Sequence, residues 1–214
     1  MAYFFIKKFF LDLLFPITCL GCEKEGEYLC AACFKELKFC QKNYSFNLTY
    51  VDEVIIAGDY EDEVLALLIK SLKFKSVITI GEILANFLTI FWQGRALIIK
   101  NPLIIPLPLS RQREKWRGFN QAAVITEHFA SNFGYEFNLN LKKIKHTRAQ
   151  SGLRANKRTK NIAGVFSWQG EPLNKRTIIL LDDVITTGAT VNEAAKVLKE
   201  AGAGKILALA VAKG

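Results

Sequence analysis

From about residue 50 onward, short unbroken apolar runs alternate with longer stretches whose apolar residues recur at helical spacing. The runs predict strands near Val54–Gly58, at the segment ending "LIIPLP", near Leu139–Ile144, at Val165–Trp168, and at the two ends of Thr177–Ala212. Helices are expected around Asp62–Leu72, around Ile80–Trp92, from near Phe119 to Gly134, and over "VNEAAKVLKEAG". There Val191, Ala194, Ala195 and Leu198 share a face before the stop at Gly202. Continuous apolar strands separated by helices imply strands buried on both faces, so the fold class is α/β, a mostly parallel sheet flanked by helices. Residues 1–45 break this rhythm, and the chain divides into an N-terminal module (1–45) and a sheet domain (46–214). Neither an internal repeat nor a low-complexity linker is visible.

Composition narrows the class. With 214 residues, half of them hydrophobic, the chain can bury one sizeable core and a small accessory module. Asp12 and Pro16, Glu82 and Lys100 interrupt the longest apolar stretches, which argues against membrane insertion. "MAYFFIKKFFLDLLFP" has lysines inside its apolar stretch and no small-residue cleavage site, so it is expected to be an amphipathic helix packed on the domain, with attachment to a membrane surface as the lesser reading. With no export signal, a cytoplasmic location is expected.

Cys19, Cys22, Cys30 and Cys33 form two C-x-x-C pairs separated by seven residues, the pattern that converges four thiolates on one zinc ion. A disulfide pair would need an oxidising compartment, and a thioredoxin-like site would show one pair. Cys40 stands alone, and His128 and His146 are expected to be structural or surface residues.

Charge is uneven. Lysine and arginine number 29 against 20 acids, a net of +9, and the span Phe137–Gly170 carries eight basic residues and no acid. Arg111, Arg113, Lys115 and Arg117 form a second cluster against Glu114 alone. Runs of this kind are ordinarily solvated surface; flanking an anion site, they would concentrate a polyanion around it.

Such a site is suggested by "TIILLDDVITTGAT". A buried strand runs into Asp182 and Asp183, expected to lie just past the strand, and then into a loop that opens a helix. In an open α/β sheet, ligands bind beyond the carboxyl ends of the strands, where helix N-termini offer unpaired N–H groups. Thr186, Thr187, Gly188, Ala189 and Thr190 would face a phosphate there, and the two carboxylates suit ribose hydroxyls or a hydrated magnesium ion. Capping and ordinary loop chemistry are the competing explanation. No Gly-Lys-Ser/Thr follows the glycine, and no G-x-G-x-x-G follows a strand.

These residues resemble the phosphoribosyl pyrophosphate (PRPP) motif of type I phosphoribosyltransferases, in which the acids hold the ribose hydroxyls and the threonine loop the 5-phosphate. "LLFPITCLGC", "IPLPLSRQREKWRGFNQA" and "TRAQSGLRANKRTKNIAGVF", in that order, resemble the ComF family of competence-associated, phosphoribosyltransferase-like proteins. The resemblance implies a type I phosphoribosyltransferase-like fold carrying a tetra-cysteine zinc module, and magnesium with the PRPP. It also implies a pyrophosphate loop at Leu107, Pro108, Leu109 and Ser110 with Arg111 beside it. The span from His146 to Asn161 corresponds to the loop that closes over PRPP, with Arg148, Arg154 and Arg158 as candidate catalytic groups that neutralise the departing pyrophosphate. The chain departs from the family at "CQKN", where members often carry a further C-x-x-C.

Two functional readings follow. One is a cytosolic competence protein that binds PRPP or a related sugar phosphate, contacts incoming single-stranded DNA and partners a helicase of the uptake machinery. Arg113, Lys115, Trp116 and Arg117 are its candidate nucleic-acid residues, Trp116 being the best stacking group, while Phe119 and Phe166 read more naturally as core. The other is an active phosphoribosyltransferase with an unidentified acceptor; no leading-cysteine glutaminase and no recognisable base-binding hood is visible. A PRPP-sensing transcription factor is disfavoured by the absence of a helix-turn-helix pattern.

Overall fold

The structure, a computed structural model, describes residues 16–75, 77–95, 99–144 and 164–214. In chain order the elements are α1 (Ala31–Glu36), β1 (Glu53–Asp59), α2 (Glu63–Phe74), α3 (Thr79–Gly94), β2 (Leu103–Pro106), α4 (Arg111–Arg117), α5 (Gln121–Phe133), β3 (Glu136–Phe137), β4 (Leu141–Lys143), β5 (Phe166–Trp168), β6 (Ile178–Ile185), α6 (Ala189–Glu200) and β7 (Ile206–Lys213). The helix expected to pack at residues 1–16 falls almost wholly outside the described residues.

Five strands form one sheet in the order β1-β7-β6-β2-β3, and every neighbouring pair is parallel. β6 and β7, both eight residues long, occupy its middle and are buried on both faces, as their unbroken apolar runs require. Alternation along them sorts the core. Ile179, Leu181, Leu207 and Leu209 point to the face covered by α2, α3 and α5, while Ile178, Leu180, Ile206 and Ala208 point to the face covered by α6. The apolar face read from α6 is the one it buries, Val191, Ala194, Ala195 and Leu198.

Two expectations need correction. β4 and β5 do not join the parallel sheet but pair antiparallel with each other, Leu141 opposite Trp168 and Lys143 opposite Phe166. The stretch before Phe119 is also helical: α4 buries none of its seven residues, so apolar periodicity could not reveal it, and Gly118, at φ 85°, ends it.

Candidate functional site

Asp182 and Asp183 lie within β6 rather than past it, because the ladder with β7 continues through them, pairing Asp182 with Ala210 and ending at Ile185 opposite Lys213. A carboxylate side chain does not interrupt backbone pairing, and near the end of the strand both acids reach one cleft. Asp183 follows Ile179 and Leu181 toward the α2 side, where its Oδ2 lies 2.7 Å from Nζ of Lys73, in the last turn of α2. The side chains are 10% and 18% exposed, and the contact is ionic rather than a well-directed hydrogen bond. Asp182 accepts the backbone N–H of Asp183 at 2.9 Å. Burial pushes its carboxyl well above the usual carboxylate range; the charge of Asp183 pushes the same way, while Lys73 opposes.

Both acids line a cleft of about 190 Å³ at the carboxyl ends of β2 and β6. Of the expected ligand residues, Leu107, Pro108, Leu109 and Thr190 line it too. The segment after β2 is held in place twice: Leu107 donates its N–H to Leu181 O at 2.8 Å, and Asn120 Nδ2 donates to Leu107 O at 3.1 Å. Asn120 also caps α5 by accepting the Ala122 N–H. Ser110 and Arg111 fall instead in a larger adjoining cleft of about 570 Å³, which shares Pro108, Leu109, Asn120 and Lys143 with the first.

Five lining residues were not singled out as ligands from the sequence: Lys73, Asn120, Gln121, Ala122 and Lys143. Gln121 is 2% exposed, and its Nε2 has no hydrogen-bond partner among the described residues. Burial lowers the Lys143 ammonium and nearby Arg113 adds to this, against Asp182; burial likewise lowers Arg117, against Asp183. Asn120 had a signal, an N-cap residue two places after a helix-stopping glycine. Lys73 had none, being one of several lysines in "IKSLKFKS".

The threonine loop opens α6 as expected. Thr186 and Thr187 are exposed, and Thr187 Oγ1 accepts the Ala189 N–H at 3.4 Å. Gly188 has φ 76°, and a Cβ there would lie 3.0 Å from Leu48 and 3.3 Å from Phe46, so only glycine suits both the turn and the segment lying over it.

On α4, Arg113 and Arg117, one turn apart, line the acid cleft. Lys115 and Trp116, with Gln112 and Arg113, border a separate open hollow. Trp116 is 69% exposed and meets the 60% exposed Phe74 edge-on at 6.3 Å between centroids, with the Arg117 guanidinium 5.4 Å from the centre of the Phe74 ring. Phe166 is core on the α6 side of the sheet, and Phe119 packs half-buried against the cluster on the α2, α3 and α5 side. Arg148, Arg154 and Arg158 lie outside the described residues.

In the N-terminal module the sulfurs of Cys19, Cys22, Cys30 and Cys33 lie within 4.8 Å of one another. Cys22 and Cys30 are 3.7 Å apart, close to the roughly 3.8 Å edge of a tetrahedron with zinc–sulfur bonds of about 2.3 Å. The Cys19 sulfur accepts N–H groups from Gly21 at 3.4 Å and Cys30 at 3.3 Å. Burial pushes that thiol up, but these donors outweigh it and bring it down to about 6, favouring the thiolate a metal needs. Gly21 has a steric reason to be glycine, since a Cβ there would lie 2.8 Å from the Cys33 sulfur. Cys40 stays apart, its sulfur near Lys42 O. The cluster fits a structural zinc ion. The acid pair does not fit magnesium in the same way, because Lys73 already takes the Asp183 carboxylate and four basic side chains line the cleft.

A double zinc ribbon family model matches residues 10–44. Among solved structures, the glutamine PRPP amidotransferase of B. subtilis aligns with 60% of this chain and 24% of its own, at TM-score 0.38 and 17% identity. A DNA utilization protein YhgH of Salmonella typhimurium is 30% identical over 72% of this chain and 68% of its own. Competence protein ComFC of Streptococcus pneumoniae is 38% identical over 46% of this chain and 42% of its own. Competence protein F of Haemophilus influenzae is 34% identical over 88% of this chain and 86% of its own length. With the four-cysteine centre and the parallel sheet in the places the resemblance implied, the chain belongs to the ComF family of competence proteins.

Proposed function

We propose that this chain is a cytoplasmic competence factor that binds PRPP or a related sugar phosphate in the acid cleft and lays single-stranded DNA across the outer face of α4. One observation carries the reading: Asp182, Asp183 and Thr190 share a cleft with the Leu107–Leu109 segment, and Arg113 belongs both to that cleft and to the hollow beside Trp116. Its relatives are named for competence and for DNA utilization, which supports a role in DNA uptake. Among the described residues no helix is long and apolar enough to cross a membrane, in keeping with a protein that meets DNA on the inner side. A helicase of the uptake machinery is the protein partner this role calls for.

The sugar phosphate would place its 5-phosphate at the threonine loop, where donors at the α6 N-terminus favour an anion, and its hydroxyls at the acids. Arg113, Arg117 and Lys143 would face the pyrophosphate. A second reading, transfer of phosphoribose to an acceptor, is favoured by the adjoining 570 Å³ cleft, which shares four lining residues with the first and is partly apolar.

Calorimetric titration with PRPP tests the site, followed by assay of pyrophosphate release against nucleobases and single-stranded DNA. Binding that Asp182→Asn removes, without pyrophosphate release, is the expected result. Release with any acceptor would establish the enzyme reading, and no binding at all would reject the sugar-phosphate assignment.

A further inference from the structure

We propose that the acid cleft takes its anionic ligand without a divalent cation, Lys73 holding the position and supplying the charge that magnesium would otherwise bring. The inference rests on the sugar-phosphate reading of the cleft and departs from what the family resemblance implies about magnesium.

Lys73 reaches Asp183 from the last turn of a twelve-residue helix, with 2.7 Å between charges and both side chains largely buried. A magnesium ion bonded to the same carboxylate oxygen at its usual distance of about 2.1 Å would lie within about 5 Å of that ammonium. Two centres of like charge at that separation, in a partly desolvated cleft, repel strongly.

The second carboxylate adds little: Asp182 lines the same cleft, but its Oδ1 already accepts the Asp183 backbone N–H at 2.9 Å. Among the described residues, the four cysteines are the only group of three or more side chains placed to hold a metal, so no third carboxylate assists the pair. Burial of Asp182 also holds its carboxyl toward the neutral form, a poor metal ligand and a good hydrogen-bond donor.

What the cleft offers instead is complementarity to an anion. Lys73, Arg113, Arg117 and Lys143 stand against two carboxylates, and Gln121 brings to the same wall a buried amide that is unpartnered among the described residues. Arrival of a diphosphate would let the basic groups share their charge with it while Lys73 keeps Asp183 compensated. No step requires the ligand to carry a metal in.

The test uses zinc-loaded protein in resin-treated, chelator-free buffer, with zinc content confirmed before and after so that the cysteine centre stays intact. PRPP is titrated without magnesium and again in millimolar magnesium. The dissociation constants are expected to agree within about fivefold. Affinity more than fivefold tighter with magnesium overturns the proposal, and absence of binding under both conditions overturns the sugar-phosphate reading on which it rests.

Manganese alone, followed by paramagnetic resonance, is expected to leave the acid pair of the native protein unoccupied; a bound signal abolished by Asp183→Asn overturns the proposal. Lys73→Met, checked for zinc content and circular dichroism, is expected to lose metal-free affinity at least tenfold and to recover part of it with magnesium. If Lys73→Met does not fold, the two measurements on native protein still decide. A folded Lys73→Met protein with unchanged metal-free affinity would overturn the role of Lys73.

Discussion

Asp182 and Asp183 are adjacent acids, yet their different partners give them opposite effects on stability. Asp183 is compensated by Lys73. Removing its charge with Asp183→Asn leaves a largely buried ammonium alone and is expected to cost about 2–3 kcal/mol, read as a lower denaturation midpoint. Asp182 has a carboxyl raised by burial and then by its neighbour. A carboxyl with a folded-state pKa above its unfolded value of about 4 favours the native state at low pH, and that contribution is lost as pH rises through the folded value. Asp182→Asn should therefore stabilise the protein at pH 7 and flatten the decline of its stability from about pH 4 up to neutral pH. Thermal melts across that range check both, and equal effects of the two substitutions would contradict the geometry. The motif itself was legible because two acids, a glycine and three threonines in nine residues are rare chemistry at a strand end. The acids' places inside the strand, and Lys73, were not legible. Backbone pairing sets where a strand ends, and a contact spanning more than a hundred residues leaves no mark on local pattern.

At the scale of elements, legibility followed burial. The helices that bury apolar faces, α2, α3, α5 and α6, appear near their expected positions, as do β1, β2, β6 and β7. α4 escaped because it buries nothing, and its charged sequence looks the same as a loop or a helix. Its helical form changes the expected roles of its residues, since Arg117 turns to the cleft while Lys115 and Trp116 face outward. Arg117 is thus a poor probe of charge alone on the DNA face, and Lys115 is the proper comparison for Trp116. Trp116→Ala should weaken single-stranded DNA binding by about 1–3 kcal/mol with little change in salt dependence, as loss of a stacked base would. Lys115→Ala should flatten the log-log salt slope by about 0.7, one phosphate contact. Affinity measured over a salt series separates the two, and Trp116→Ala with unchanged affinity at every salt concentration would exclude stacking there. Phe74→Ala should weaken binding in the same direction as Trp116→Ala, because its ring braces the indole edge-on.

Across the whole molecule, the four-cysteine module and the sheet share one core. Cys19, Leu29, Cys30 and Leu37 belong to the same buried cluster as Leu65 and Leu68 of α2 and Leu207 and Leu209 of β7. The segment beyond the module crosses to the other face, anchored where Cys40 N–H donates to Ala57 O, where Lys42 and Tyr44 contact Asp59, and where Tyr50 N–H meets Asn192 Oδ1. On the way Phe46 and Leu48 cover Gly188 of the threonine loop. A boundary near residue 45 therefore divides the sequence by composition, while the packing joins its two sides. The module alone buries too little apolar surface to fold without its metal, so zinc binding supplies folding free energy there. With a shared core, that free energy is felt by the sheet as well. Purified protein is expected to hold about one zinc ion, and Cys22→Ala or removal of zinc by a chelator should lower the midpoint of the whole chain in a single transition. A loss of about 3 kcal/mol would move it by about 10 °C, since each kcal/mol shifts a chain of this size by about 2–4 °C. Calorimetry with and without zinc reads the result directly. Two resolved transitions, the upper one unmoved by zinc removal, would show instead that the module is an independent unit resting on the sheet.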